Sequence, residues 1–190
     1  MATISQVQRR QYMQAAEGYL DLATALDDPN NSCQLSTGLR EQLANRAIAN
    51  LEKIKNPLGH KPYVLFLKGQ ACRTANQPNK AIQYLSQSSK LDPDNSHTYL
   101  ALAWCYKRTG QLGLAIEVMK SAVELDSDSA IAHYNLACYC ALHRDVDSAL
   151  MHLSFALDLN SDYREYVANE PDFDLIRENP RFEMIAAATV

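Results

Sequence analysis

The stretch Trp104-Cys105-Tyr106-Lys107-Arg108-Thr109-Gly110 gathers the chain's lone tryptophan, a thiol, a phenol and two adjacent cations into one short segment. An indole beside cations suits a nucleobase stacked on an aromatic face with its phosphate neutralised. A thiol beside cations suits a reactive thiolate. An aromatic anchor beside cations also suits the wall of a groove that holds a peptide. Other reactive side chains are scattered. Cys138 and Cys140 form the nearest thiol pair, but two residues apart on a helix point to different faces; Cys72 and Cys140 share one repeat position and read as small buried hydrophobes. His133 holds the packing slot that Leu65 and Tyr99 hold elsewhere, and His143 and His152 fall on different helices with no third ligand in reach. There is no glycine-rich phosphate loop, no Cys-x-x-Cys and no His-Glu-x-x-His. Carboxylates are spread over helix surfaces and termini. The expectation is a protein without catalytic residues, metal or cofactor.

Charge narrows the choice further. The net charge is −4 and the pI about 5.7, with no Lys/Arg-rich run. Nucleic-acid binders carry a basic stripe that neutralises phosphates, so no nucleic-acid partner is expected. No apolar run approaches the roughly 20 residues that a membrane span requires. The N-terminal "MATISQVQRRQYMQAAEGYL" carries Arg9-Arg10 with no apolar segment after them, unlike a secretory signal. It is free of acids as far as Glu17, as a transit peptide is, yet it runs unbroken into a helical pattern. Five cysteines without an export signal read as reduced thiols in a cytoplasm.

The elements that position these residues follow from a repeat. Ala81, Ala115 and Ala149 are separated by a constant step of 34, as are Leu91, Leu125 and Leu159. The same step joins Gly69, Ala103 and Ala137; Leu85, Met119 and Leu153; and Ser88, Ala122 and Ala156. Within the middle copy, Tyr99, Leu102, Ala103 and Tyr106 make one helical face. Gly110 stops that helix, and a second apolar set runs from Leu112 through Ala115, Ile116, Met119 and Ala122 to Val123. Each copy is thus two short helices and a tight turn. Pro78 and Asp145 suit the start of the second helix, as first-turn proline and N-cap.

This period and pattern resemble the tetratricopeptide (TPR) repeat. The resemblance is carried by the small pairs Gly69/Ala81, Ala103/Ala115 and Ala137/Ala149, with Tyr106, Leu85, Met119, Leu153 and Pro93. It implies an all-α chain, an α-solenoid (right-handed superhelix) of helix-turn-helix repeats with helical caps. Three repeats span 62–95, 96–129 and 130–163. Residues 1–61 read as a degenerate helical hairpin with an inserted loop at 27–38. One face of it comprises Tyr12, Ala15, Ala16, Tyr19 and Leu22, the other Leu39, Leu43, Ala47, Leu51 and Ile54. Residues 164–190 read as capping helices whose Phe173, Ile176, Phe182 and Ile185 cover the last repeat. Their "DF…PRF" pattern is similar to the ending of small bacterial TPR proteins.

The resemblance also implies a function, which is binding a protein or peptide partner along the first helices of the repeats. Carried over position by position, the groove comprises Tyr63, Phe66, Gln70, Arg73 and Thr74 in the first copy. The second gives His97, Leu100, Trp104, Lys107 and Arg108, and the third Ile131, Tyr134, Cys138, Ala141 and Leu142. Helical spacing agrees, since 97, 100, 104, 107 and 108 share a face opposite 99, 102, 103 and 106. The clamp with which some TPR domains hold acidic chaperone tails is missing, because Phe66, Gln70, Ala101, Ile131 and Asn135 replace its Lys, Asn and Arg. An amphipathic peptide with apolar anchors and some acids fits better. Two other readings stand beside it. In one, the aromatics are covered by the chain's own N-terminal helix or by a second copy with no external ligand, the chain then being a structural unit whose groove or repeat edge can serve homodimerisation. In the other, the chain is a small secretion-type chaperone.

Overall fold

The computed structural model describes residues 5–25, 37–55 and 57–187; the expected 27–38 loop lies almost wholly outside them. Among the described residues the chain is all-α, with no strand. None of its helices is long and apolar enough to cross a membrane. By its internal contacts it divides into Met1–Cys105 and Tyr106–Val190.

The first unit holds α1 (Gln6–Ala25), α2 (Thr37–Glu52), α3 (Lys61–Thr74), α4 (Pro78–Leu91) and most of α5 (Ser96–Arg108). α1 pairs with α2 and α3 pairs with α4. The core joins Met13, Ala16 and Leu20 of α1 to Ala47 and Leu51 of α2 and to Val64, Leu67 and Ala71 of α3. The α1 stripe is therefore 13, 16, 20 and 23, which corrects the expected face. Ala15 and Leu22 are exposed, whereas Tyr12 and Tyr19 pack from the margin. The aromatic margin has a cause: Lys53 and Arg46 lie over the Tyr12 and Tyr19 rings at 5.0 and 5.9 Å, an arrangement that favours a half-wet site. On α2, Leu43, Ala47 and Leu51 are buried, as is Ile54 just beyond it, but Leu39 is exposed.

The second unit holds α6 (Leu112–Leu125), α7 (Ala130–Leu142), α8 (Val146–Leu159), the short α9 (Arg164–Val167) and α10 (Pro180–Ala187). α7 packs on α6 and α8, and α10 returns to α8. Of the expected capping residues, Phe173, Ile176 and Phe182 are buried and Ile185 is half-buried; Val167 joins them. Arg177 organises the segment between α9 and α10. Its guanidinium donates to the carbonyls of Ala168 (2.7 Å) and Glu170 (2.8 Å) and pairs with Asp174. Carbonyls past a helix end have no partner within the helix, and one planar fork supplies two of them.

The turns repeat as regularly as the helices. Asn76, Gly110 and Arg144 follow the repeat step and all have positive φ, at 53°, 76° and 63°. In each, the next residue's N–H bonds back to an earlier carbonyl of the helix: Gln77 to Cys72, Gln111 to Tyr106, Asp145 to Cys140. This is the Schellman closure. That next residue also caps the following helix, because its carbonyl accepts from Ala81, Ala115 or Ala149. Asp145 adds its carboxylate, which accepts from the Ser148 N–H at 3.2 Å. Hydrogen bonding to Ser148 holds its pKa below the usual value. Pro78 opens α4 as its first residue.

Close approach explains the small residues. A Cβ added at Gly69 would lie 2.5 Å from Leu85 Cγ and 2.6 Å from its Cδ2. Leu85 is fully buried and has nowhere to move. Gly69→Ala should therefore cost about 1–3 kcal/mol through overpacking, although glycine to alanine inside a helix ordinarily gains about 0.5–1 kcal/mol. Gly18, also within a helix but with open space around it, should show that ordinary gain. Urea unfolding of both variants checks the opposite signs; two stabilised variants would contradict the crossing.

Candidate functional site

In the first unit the expected groove residues of the first repeat lie along α3. The Tyr63 ring stacks on Phe66 at 6.2 Å. Its hydroxyl donates to Glu17 Oε1 of α1 at 2.7 Å. Burial, and then that carboxylate, push the phenol up to about 12. Phe66 is half-buried and packs against the core shared with α1. α1 thus takes part of this face for itself. What it leaves is an open cleft of about 200 Å³, lined among others by Asp21, Tyr63, Phe66, Gln70, Arg73 and Thr74. The Gln70 side-chain oxygen is buried there without a hydrogen-bond partner. Such an acceptor costs about 1–3 kcal/mol unless something donates to it. On α5, His97 is exposed, Leu100 and Trp104 are half-buried, and the Arg73 guanidinium lies 5.5 Å from the Trp104 ring centre. Phe66, Gln70 and Arg73 line one cleft on α3, and Arg73 alone among them is seen over Trp104 of α5.

The second unit treats the same repeat positions differently. Tyr134 is only 6% exposed. Its ring stacks on Tyr163 at 4.8 Å and meets Phe173 edge-on at 5.8 Å. Cys138 and Ala141, also expected on the groove wall, are buried, whereas Ile131 is exposed and Leu142 half-buried. The occupant is the chain's own segment from Ser161 to Phe173, returning onto α7. Lys107 forms an ion pair with Asp172 of that segment and lies over Tyr139 at 5.6 Å. Arg108 is exposed. The Lys107–Asp172 pair is partly buried, where desolvation offsets much of the attraction, while full burial of a phenyl ring contributes about 1.5–3 kcal/mol. Phe173 holds the segment in place, and Asp172 orients it. This closure of α7 is the feature missing from the sequence reading, which placed Phe173 in a cap but not on Tyr134.

The remaining reactive groups resolve into packing. Cys72, Cys105, Cys138 and Cys140 are buried thiols with no disulfide among the described residues. Burial pushes Cys105 and Cys140 up to about 11 and Cys138 higher still. Thiols held in that form are poor nucleophiles. Cys138, Glu170 and Asp172 place their ligand-type atoms within 4.8 Å of one another. The cation beside Asp172 is already the Lys107 ammonium. On the far side of α7, His133 Nδ1 lies 3.0 Å from His152 Nδ1, and His133 Nε2 lies 3.1 Å from the Ser127 carbonyl. A carbonyl only accepts, so the proton of a neutral His133 sits on Nε2 and His152 donates between the rings.

Residues 73–137 match the family model of the tetratricopeptide repeat. Among solved structures, the fold matches YrrB, described as a TPR protein with an unusual peptide-binding site, with a TM-score of 0.59 and 21% identity. That match covers 81% of this chain and 80% of YrrB. It also matches MamA with a TM-score of 0.58 and 19% identity, covering 87% of this chain and 99% of MamA. No curated protein matches the chain in sequence. The fold is the one foreseen from the repeat step, all-α and built of helical hairpins.

The histidine pair makes stability depend on pH. Burial, then His133 and Lys120, push His152 down from 6.5 to about 4. A folded-state value below the unfolded one means that the unfolded chain takes up the proton first, so stability falls as pH drops from 6.5 towards 4. His152→Gln should flatten this part of the urea-midpoint profile. Superimposable slopes for wild type and variant over that range would contradict it.

Proposed function

We propose that this chain, tetratricopeptide over residues 73–137 and tetratricopeptide in fold, is a non-enzymatic interaction module that binds a peptide segment of a partner protein. The contact surface is the α3 and α5 face of the first unit. The observation that carries this reading is the open cleft beside α3, lined among others by Tyr63, Phe66, Gln70 and Arg73, with Arg73 in turn lying over Trp104 of α5. An extended peptide laid there gains an aromatic surface to cover. In this reading Tyr63, His97 and Leu100 frame the site, whereas Lys107 and Tyr134 serve the chain's own C-terminal segment. The buried thiols suit a reducing, cytoplasmic setting.

A second reading is favoured by α8, which exposes Met151, Phe155 and Leu159 at 48%, 48% and 42%. Their spacing of four places them on one stripe, and exposed apolar stripes mark association surfaces. In that case the chain is a structural unit that pairs with itself, or a small chaperone that uses the same stripe.

Two measurements separate these readings. For the first, Trp104→Ala should weaken partner binding by about 2 kcal/mol or more, as loss of an aromatic anchor does, with an unchanged circular dichroism spectrum. Full affinity in a folded variant would remove the site. For the second, sedimentation velocity over a wide concentration range should show a dimer that Phe155→Glu abolishes. A monomer at every concentration would exclude self-pairing.

A further inference from the structure

Tyr134 and Cys138 stand one turn apart on the same face of α7, and the returning C-terminal segment lies on that face. Cys138 Sγ and one carboxylate oxygen each of Glu170 and Asp172 lie within 4.8 Å of one another. Tyr134 is only 6% exposed, and its hydroxyl is buried without a hydrogen-bond partner. A polar group so placed costs stability unless something meets it. Burial, then Cys138, Glu170, Asp172 and Tyr163, push this phenol well above its ordinary pKa. The orphan oxygen therefore faces the thiol and the two carboxylates. Charge points the same way. Two ionised carboxylates bring two negative charges, and the Lys107 ammonium paired with Asp172 brings one positive charge. Arg177 is turned to the Glu170 carbonyl and the Asp174 carboxylate, while the Glu170 carboxylate accepts from the Asp172 N–H at 3.2 Å. One negative charge is left beside a buried thiol. Burial and then that field raise the Cys138 thiol well above its usual range, with Lys107 opposing. A field that disfavours a bare thiolate favours a cation.

We propose that Cys138, Glu170 and Asp172, with the Tyr134 hydroxyl or a water in the fourth position, form a binding site for a divalent metal ion of the zinc type. The donor set selects the ion. A thiolate with two carboxylates suits Zn2+, whereas Ca2+ and Mg2+ take oxygen ligands alone. Tetrahedral zinc holds neighbouring ligand atoms about 3.5 Å apart, so the two carboxylates draw in by about an ångström on binding. They can do so because Glu170 caps, and Asp172 sits within, a short 3-10 turn at Pro171–Phe173. Ligation exchanges the Cys138 thiol proton for the ion, and the proton leaves to solvent. The ion also competes with Lys107 for Asp172. Two ligands come from the returning segment and the others from α7, so the ion ties that segment to the third repeat beside the Tyr134–Phe173 contact. The repeat pattern gave no sign of this cluster, because Glu170 and Asp172 reach Cys138 only through the return of the segment.

The test titrates Co2+, a spectroscopic stand-in for Zn2+, into the reduced full chain and follows the thiolate-to-cobalt absorption band. A saturable band is expected, displaced by Zn2+ and absent from Cys138→Ser. Cys140→Ser, two residues on and on a different face of α7, should keep the band. Glu170→Gln and Asp172→Asn should each weaken binding at least tenfold, whereas Lys107→Met should tighten it at least threefold by removing the competing ammonium. Circular dichroism checks the fold of every variant before titration, and Cys138→Ala replaces Cys138→Ser if the hydroxyl prevents folding. No saturable band in the wild type overturns the proposal. So does a band of full strength in a folded Cys138 variant, or affinity unchanged by both carboxylate substitutions. Binding weakened by Lys107→Met would contradict competition for Asp172 and overturn the arrangement proposed here.

Discussion

Everything in this chain rests on how closely two helices of a hairpin approach. At Gly69 the approach is so tight that Leu85 occupies the place of a side chain. At the recurring positions, Ala81, Ala103, Ala115, Ala137 and Ala149 have no exposed surface. Small residues at these points fix the depth of packing, and interiors packed at crystal-like density leave little slack. The turn is then constrained as well. A chain leaving one helix and entering the next within a few residues needs a left-handed residue at the end of the first. Gly110, Asn76 and Arg144 all take that conformation. Once depth and turn are fixed, the outward faces of the first helices are fixed too, and with them the surfaces open to a partner.

The two units put one repeat position to two uses. On α7 the face is closed by Tyr163 and Phe173, and the cation next to it is held by Asp172. On α3 and α5 the equivalent cation lies against an indole, and the neighbouring cleft carries an acceptor without a donor. The difference comes from the segments flanking the repeats, not from the repeats themselves. A segment with Phe173 and Asp172 comes back onto α7, whereas α1 packs along α3 and takes up Tyr63 and part of Phe66.

Much of this was legible in the sequence, and the physical reason is periodicity. Alanines and leucines recurring at one fixed step encode local packing, so the helices and hairpins could be read directly, while Phe173, Ile176 and Phe182 were readable as apolar cap residues beyond the last repeat. Gly110 was readable as a helix stop because glycine adopts positive φ without strain. Asn76 and Arg144 hid the same turn, since other residues carry no such mark. The phase of α1 was misread because Tyr12 and Tyr19 look like core residues but sit at its margin under cations. The burial of Tyr134 was illegible for a different reason. It depends on a contact with Tyr163 and Phe173, and no helical period encodes where a C-terminal segment returns.

A photo-crosslinking amino acid placed in turn at Phe66, Tyr134 and Phe155, in otherwise native chain exposed to extract from its own cells, compares the three faces directly. A face on α3 and α5 open to a partner predicts a discrete adduct with another protein from position 66. Position 134 should then give only adducts within the chain, and position 155 none. Adducts to a second copy from position 155, with none from position 66, would contradict it.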